Sequence, residues 1–544
     1  MSIAQEITNL IENALASLGL SEVNFVVEHP TDLKMGDYST NVGIKTGQAK
    51  AIVQHLEANL PAWLERIEVA GPGFINFYLS KEFFKKSLNE INNQKEVFGK
   101  NQMLEGQTVA IEYTDPNVMK PFHIGHLMSN TLGEAISRII EWSGAKIIRL
   151  NYYSDSGLNI AKAVWGVKEK FSDLPSESDN LSQKAGFLGG AYALGVTRSA
   201  EDELVAKEIE AINKKIYERS DEEINKLYDL GKRWSLEYLD RLYERLGTTF
   251  DKSIAESEVA RDGQKIVQEF MKKGVFEESE GAIVFRGEKY NPKLHTRVFI
   301  NKLGLPTYEA KELGVAFKKF DLYNPDVSII ITANEQNDYF KVVLEAIKQI
   351  NGQLALKTKH LSHGVLKLPS GKMSSRTGNV ITAEGLIEEV KEKVRGEEEV
   401  AVGAIKYMIL RQVPGHDIIF DFEKSVSTEG DSGVYLQYAH ARANSILSKG
   451  GEGETSGQRS QTHEIERLLY RFPEIVEHAS REYAPNYLTT YLTELASSFN
   501  NFYAHEPVLE ESPESAYRLA IVQAFQIVMR NGLNILGIPA PERV

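Results

Sequence analysis

The chain contains no cysteine in 544 residues. That absence excludes disulfides, thiolate zinc sites and cysteine nucleophiles together, and it accords with a reducing compartment. Long apolar runs are also missing. None approaches the roughly 20 residues that a membrane-spanning helix needs, so no membrane partner is expected. The N-terminal stretch MSIAQEITNLIENALASLGL has amphipathic helical spacing and carries Glu6 and Glu12. It does not read as an apolar signal segment, and the expected location is cytoplasmic. Positive charge is in deficit, with 62 Lys+Arg against 76 Asp+Glu and a formal net charge of −14. Averaged over the chain this disfavours a nucleic-acid partner, although a large acidic body can carry a local basic groove.

What is present is globular in character: 42% hydrophobic and 25% charged residues, without a bias to disorder. The length calls for about three to four domains. Residues 1–100 alternate helical patterns with the strand-like pair IEVAGPG and FINFYLS, giving a small α+β domain. Residues 101–400 hold the pattern of an α/β domain. TVAIEYT reads as a strand; Leu127, Leu132, Ile136 and Ile139 share one helical face; Gly144 suits a C-cap; KIIRLNYY is the next strand. This is a βαβ unit and predicts a parallel sheet. A charged helical insertion is expected at about 160–275, after which AIVFRG, TRVFI and VSIIITA restore a sheet pattern. The last two are expected to be buried strands of the same α/β domain. Residues 401–544 are helical throughout, with KGGEGETSGQRSQT as a flexible link between helices.

Two stretches carry chemistry. KPFHIGHLMSN places His123, Gly125 and His126 just after the first strand of the βαβ unit, at the start of its helix. There the carboxyl edge of the sheet and the helix N-terminus favour phosphate oxygens. Gly125 allows a flat ligand such as a purine to approach, and the imidazoles can donate to a phosphorus transition state. The same four letters also fit a polar helix start or half a metal site. The second stretch, GVLKLPSGKMSSRTGN, is a loop rich in Gly, Ser, Lys and Arg, suited to a triphosphate, or else an ordinary basic surface loop.

Taken together, in this order and about 250 residues apart, HIGH and KMSS resemble the two signatures of class I aminoacyl-tRNA synthetases. The resemblance sharpens to the arginyl-tRNA synthetase family and covers nearly the whole chain. GDYSTN, AGPGFINFYLS, IEYTDPNVMKPFHIGHL, LPTYEAKELG, ANEQNDYFK, GVYLQYAHARANSI, FNNFYAHEPVL and NGLNILGIPAPERV match it in order. It implies a class I Rossmann-like parallel-sheet catalytic core with a helical insertion, a small N-terminal α+β tRNA-binding domain and an all-α C-terminal anticodon-binding domain. The implied activity joins L-arginine, ATP and tRNA through an arginyl-adenylate. Magnesium accompanies the ATP, no structural metal is expected, and a monomer is expected.

The resemblance also assigns residues. ATP falls to His123, Gly125, His126, His363, Gly364, Lys372, Met373, Ser374 and Ser375. The catalytic set is Lys120, His123, His126, Lys372 and Arg376. For arginine, Glu112 and Glu312 supply negative charge to a guanidinium fork, a match that suits its bidentate geometry. Asn117, His123, Tyr308 and Gln336 complete that pocket. For tRNA the candidates are Phe74 and Asn76 near the N-terminus and Tyr435, Tyr438, Arg442 and Tyr503 near the C-terminus, aromatics with arginine being suited to unstacked bases. There are two departures. Glu312 stands where the family commonly has Asp, and Ser375 holds the place of the second loop lysine, leaving Lys120 and Arg376 as replacement cations. The rival readings are another class I synthetase, a non-catalytic tRNA-binding paralogue and a small nucleotidyltransferase.

Overall fold

The computed structural model describes residues 2–20, 23–368, 382–457, 459 and 461–543. The first region is an antiparallel sheet of β1 (Val27–Glu28), β2 (Tyr38–Thr40), β3 (Leu64–Ala70) and β4 (Phe74–Leu79) in the order β1-β2-β4-β3. Along β4, Ile75, Phe77 and Leu79 point into the core with Ile7, Ile11 and Ile52, as the period of two requires. This region is tied to the C-terminal helices by Asp37, which accepts from Arg467 at 2.7 Å, and by Tyr38, which donates to Glu474 at 2.8 Å.

The centre of the molecule is a five-stranded sheet. It contains β5 (Thr108–Glu112), β6 (Lys146–Tyr153) and β7 (Lys252–Ala255), and later in the chain β11 (Val327–Ala333) and β12 (Thr358–His363). The order is β12-β11-β5-β6-β7 and every pairing is parallel. Helices lie on both faces, so β5 and β11 are apolar runs buried on both sides, as in other parallel sheets. Strand order reverses between β5 and β11. In an open parallel sheet that reversal opens a crevice at the carboxyl ends of the strands, where ligands bind.

Between β7 and β11 lies a separate three-stranded antiparallel sheet of β8 (Glu277–Ser279), β9 (Ala282–Arg286) and β10 (Thr296–Ile300). This corrects one expectation. TRVFI is β10 of the small sheet, with only Phe299 and Ile300 buried, and it does not join the parallel sheet. A five-residue apolar run carries no information about which sheet it enters. The insertion is also shorter than expected. Its helices end at Leu246, and Lys252–Ala255 then returns to the central sheet as β7, a strand too short to register against the helical pattern around it.

Beyond the central sheet, β13 (Leu366–Lys367) pairs in parallel with β14 (Ile418–Ile419), and helix Glu398–Leu410 runs across residue 400. The expected flexible link is pinned where it is described. Glu454 N–H donates to Ala516 C=O at 2.9 Å, and Arg459 reaches Lys81 C=O at 2.8 Å and Thr462 Oγ1 at 2.6 Å. Among the described residues no helix is long and apolar enough to cross a membrane.

Candidate active site

The helix Ile124–Trp142 begins at the carboxyl end of β5, with His123 as its N-cap. His123 Nδ1 accepts from Gly125 N–H at 3.1 Å and His126 N–H at 3.4 Å, and His126 Nδ1 accepts from His123 N–H at 3.3 Å. The two imidazoles stack at 3.7 Å. Each Nδ1 is therefore an acceptor, which places the proton of the neutral ring on Nε2, on the side away from the helix amides. Burial keeps both rings neutral. It lowers the His123 pKa to about 4, aided by Lys120, and holds His126 well below the usual histidine value, with His123, Lys120 and His363 adding to the effect. The corner thus offers two preset N–H donors.

Gly125 serves this cap directly. A Cβ there would stand 2.9 Å from His123 Cε1 and 3.0 Å from Nδ1. The bare glycine is what lets the His123 ring fold back over the helix end, in addition to any room it leaves for a purine. Lys120 lies partly buried beside both histidines, 5.1 Å from the centroid of the Tyr192 ring, with no carboxylate partner among the described residues. Burial lowers its pKa. His363, at the end of β12, donates Nδ1–H to Gly364 C=O at 2.7 Å, and burial lowers its pKa too. Gly364 is bare for packing, since a Cβ would meet His416 C=O at 2.1 Å.

Lys372, Met373, Ser374, Ser375 and Arg376 lie outside the described residues. The chain on either side of them sits at this same corner. Leu368 packs with Phe122 and Ile124, Thr382 bridges to His123, and Ala383 N–H donates to Phe122 C=O at 2.9 Å.

The other half of the crevice is acidic. Glu112, the last residue of β5, is 1% exposed and takes 2.8 Å from Lys319 Nζ, itself 1% exposed. Lys319 stands two turns after Glu312 on helix Tyr308–Tyr323, so both face the sheet edge. Glu312 is partly buried and makes no hydrogen bond or ion pair among the described residues. Burial and the nearby Glu112 carboxylate hold its pKa well above the usual range, and the same two causes raise Asp115. Beside them Glu256 pairs with Lys311 at 2.8 Å, with Ser156 receiving Lys311 at 3.0 Å. Four carboxylates, Glu112, Asp115, Glu256 and Glu312, thus face two lysines. With all of them ionised the pocket would be two charges short, and burial with mutual repulsion favours the protonated forms of Glu312 and Asp115.

Asn117 bridges to Ser154 in the loop after β5, Tyr308 opens its helix half-exposed beside Lys311, and Gln336 is exposed just past β11. All three lie at the carboxyl edge. That edge is backbone-strained. Thr114, Asp115 and Met119 have φ of 84°, 47° and 57°, each costing on the order of 1–3 kcal/mol. Thr114 N–H to Ser129 Oγ at 2.9 Å and Met119 N–H to Ser235 Oγ at 2.7 Å hold the loop in place. Sequence reasoning passed over Asp115, Lys319, Glu256 and Lys311. The only signal in the sequence was spacing: Asp115 three residues after Glu112, and Lys319 seven after Glu312.

The candidate tRNA residues lie far from this crevice. Tyr435, Tyr438 and Arg442 share a face of helix Gly433–Gly450. Asn500 of helix Asn486–His505 joins them, donating to Tyr435 Oη at 3.0 Å and accepting from Arg442 at 2.7 Å. Tyr438 is exposed, as is Tyr503, which stacks on Phe499. In the N-terminal sheet Phe74 is 37% exposed, but Asn76 is 3% exposed and its Oδ1 accepts from Ser39 at 2.8 Å. Asn76 is thus mostly buried, with its side-chain oxygen engaged by Ser39.

The family model described as tRNA synthetases class I (R), catalytic domain, matches residues 87–422. The chain belongs to the class I arginyl-tRNA synthetase family. The arginyl-tRNA synthetase N-terminal domain matches residues 5–79 of this synthetase, and the DALR anticodon-binding domain matches 436–544. It is 32% identical to an arginine–tRNA ligase of Treponema denticola over 87% of this chain and 85% of that one. To the ligase of Lactobacillus delbrueckii subsp. bulgaricus it is 29% identical over the full length of both. Its structure is similar to Thermus thermophilus arginyl-tRNA synthetase with a TM-score of 0.82 at 25% identity, covering both chains fully. At 13% identity and a TM-score of 0.53, Mycobacterium tuberculosis methionyl-tRNA synthetase shares the fold over 79% of this chain and 91% of that one. The synthetase is an arginine–tRNA ligase, using ATP as a substrate. Its catalytic match runs to residue 422.

Proposed function

We propose that the crevice between β5 and β11 divides the reaction between its two halves. The observation that carries this reading is the meeting, at one strand reversal, of a preset pair of imidazole N–H donors and an acidic pocket short of positive charge. His123 and His126 hold the α-phosphate of ATP as it becomes pentacoordinate, because neutral Nε2–H donors fixed by the helix amides need no reorganisation when charge develops. Lys120 supplies a cation to the same oxygens. Lys372, Met373, Ser374, Ser375 and Arg376 close on the phosphates by the family signature, and His363 and Gly364 border the adenine side.

In the acidic half, Glu312 and Glu112 receive the guanidinium. Asn117, Tyr308 and Gln336 hold the α-amino group and stem, leaving the carboxylate free to attack the α-phosphate with pyrophosphate as leaving group. A hydroxyl of the terminal ribose at the 3′ end of the tRNA then displaces AMP from the arginyl-adenylate. The donors at the ATP corner are imidazole N–H groups and an ammonium, which offer a magnesium ion no ligand. That ion would be held by the oxygens of the ATP and by water. No group of three or more His, Asp or Glu among the described residues could hold a metal.

We assign tRNA contact to the face made by Tyr438, Arg442, Tyr503 and the Tyr435–Asn500 pair, and to Phe74 in the N-terminal region. The working division is an N-terminal tRNA-binding domain to about residue 100, a catalytic domain and a C-terminal anticodon-binding domain, in a cytoplasmic monomer.

When each amino acid is offered with ATP and total tRNA, arginine alone is expected to be esterified; charging of lysine or citrulline at a comparable rate would refute the pocket assignment. Gly125→Ala tests the ATP half. Its methyl displaces the His123 ring from the helix end, so kcat is expected to fall by roughly 10² through the loss of a placed donor. Loss of the His123 side-chain cap should lower the melting temperature only modestly, because His126 still accepts from His123 N–H. An active Gly125→Ala enzyme would show that His123 need not be folded back.

A further inference from the structure

The buried hydroxyls that have no hydrogen-bond partner among the described residues include those of Tyr152 and Tyr339. Tyr152, near the end of β6, is 7% exposed, and Tyr339, in the first turn of helix Asn337–Ile350, is 9% exposed. Neither Oη makes a hydrogen bond among the described residues. Burying a hydroxyl without a partner is costly, so a pair in one place calls for a reason. These two reach the arginine pocket from opposite sides. Tyr152 comes from the β6 side, where its own N–H contacts Asp115 Oδ1 at 3.3 Å and its ring packs against Val259 and Val315. Tyr339 comes from the β11 side, beneath Arg297. Each hydroxyl lies within the fields of Glu312 and Glu256, and Tyr152 also feels Glu112 and Tyr339. Burial keeps both phenols protonated far above neutrality.

Glu312, which acts electrostatically on both phenols, also has no hydrogen-bond or ion-pair partner among the described residues. Three polar groups from three elements therefore lie within one another's fields with hydrogen-bonding capacity unused among those residues. A neutral phenol can accept from one neighbour while donating to another, which a second carboxylate cannot do. A guanidinium brings five N–H donors and no acceptor. It can fill the acceptor side of both phenols while each phenol O–H turns to the Glu312 carboxylate.

We propose that Tyr152 and Tyr339 are specificity-determining residues of the arginine site, their hydroxyls accepting from the guanidinium and donating to Glu312. This rests on the reading that Glu112 and Glu312 form that site. The side chain of Glu312 is one methylene longer than the usual Asp, and the two hydroxyls fix where its carboxylate comes to rest when the cation arrives.

The test is Tyr152→Phe and Tyr339→Phe in the full-length enzyme, each compared with the parent and with Glu312→Gln. Melting temperature without arginine, arginine Kd by calorimetry and the kcat and KM of aminoacylation are the readouts. The hydroxyls bond nothing among the described residues, so the Phe variants should melt at or above the parent temperature. Arginine Kd and KM should rise about ten-fold or more for each hydroxyl bonded to a charged ligand, with kcat changing far less. Two results would overturn the inference. One is parental arginine affinity in both Phe variants together with a loss in Glu312→Gln, which leaves the pocket reading standing and removes the hydroxyls from it. The other is a lower melting temperature in both Phe variants with unchanged arginine affinity, which would make the hydroxyls structural. If Glu312→Gln also binds arginine like the parent, the pocket reading itself fails.

Discussion

Glu312→Gln is expected to lower kcat/KM for arginine by roughly 10² to 10³, the cost of leaving a buried charge without its partner. The structure singles out this carboxylate over Glu112. Glu112 already has a counter-ion in Lys319 at 2.8 Å, whereas Glu312 has none among the described residues. On the proposed reading the arriving guanidinium is the partner Glu312 lacks. Citrulline has nearly the same shape with a neutral urea in place of the cation. The parent should reject it, and the glutamine variant should narrow the gap between arginine and citrulline. Glu312→Asp, which keeps the charge, should be the mildest change at this position.

The same carboxylate gives the parent a pH signature. Burial and Glu112 raise the pKa of Glu312 in the free enzyme, so the group holds a proton above the normal carboxylate range. A bound guanidinium favours the ionised form. Binding therefore expels a proton, and arginine affinity should climb as pH rises toward the raised pKa and level off above it. In Glu312→Gln that slope should be shallower, with the remainder belonging to Asp115, which is raised by the same causes. Calorimetry in buffers of different ionisation heats measures the released proton directly. Proton uptake on binding, or an affinity independent of pH, would contradict the assignment.

Lys120→Ala should lower kcat by about 10² to 10³, the usual cost of one transition-state donor, while moving the KM for arginine much less. Lys120 is partly buried next to both imidazoles, and its ammonium has an aromatic face nearby but no carboxylate partner among the described residues. A half-desolvated cation kept without a counter-ion is suited to a phosphate. Its removal should also let His123 and His126 rise toward ordinary histidine values, since the lysine charge is one of the causes holding them down. The residual activity of the variant should then fail at a higher pH on the acid side than that of the parent. Arg376→Ala is the control: a loss there with none in Lys120→Ala would transfer the role to the loop arginine.

Much of this enzyme could be read from the sequence. β5, the helix Ile124–Trp142 and β6 follow from local apolar periodicity, and a βαβ unit permits only a parallel sheet with its ligand edge at the carboxyl ends. The lack of cysteine removed whole classes of chemistry before any fold was considered. His123 and His126 lie within four consecutive positions at one helix start, so their capping geometry is local and follows from the motif itself. TRVFI and the end of the insertion were misplaced because a run of four or five residues states that a strand exists and not which sheet receives it.

The charge balance of the arginine pocket was set by the tertiary structure alone. Glu112 and Lys319 are 207 residues apart, and nothing in either neighbourhood shows that one neutralises the other. The left-handed residues Thr114, Asp115 and Met119 carry side chains that normally avoid that conformation, and they hold it because Ser129 and Ser235 take their neighbouring amides from other helices. The unpartnered hydroxyls of Tyr152 and Tyr339 are likewise a property of the packed interior. Helix starts and strand alternation depend on neighbours within a turn or a pleat, and sequence displays them. Burial, and with it the strength and balance of charges, depends on which distant elements exclude water, and that is decided only when the sheet closes over its helices.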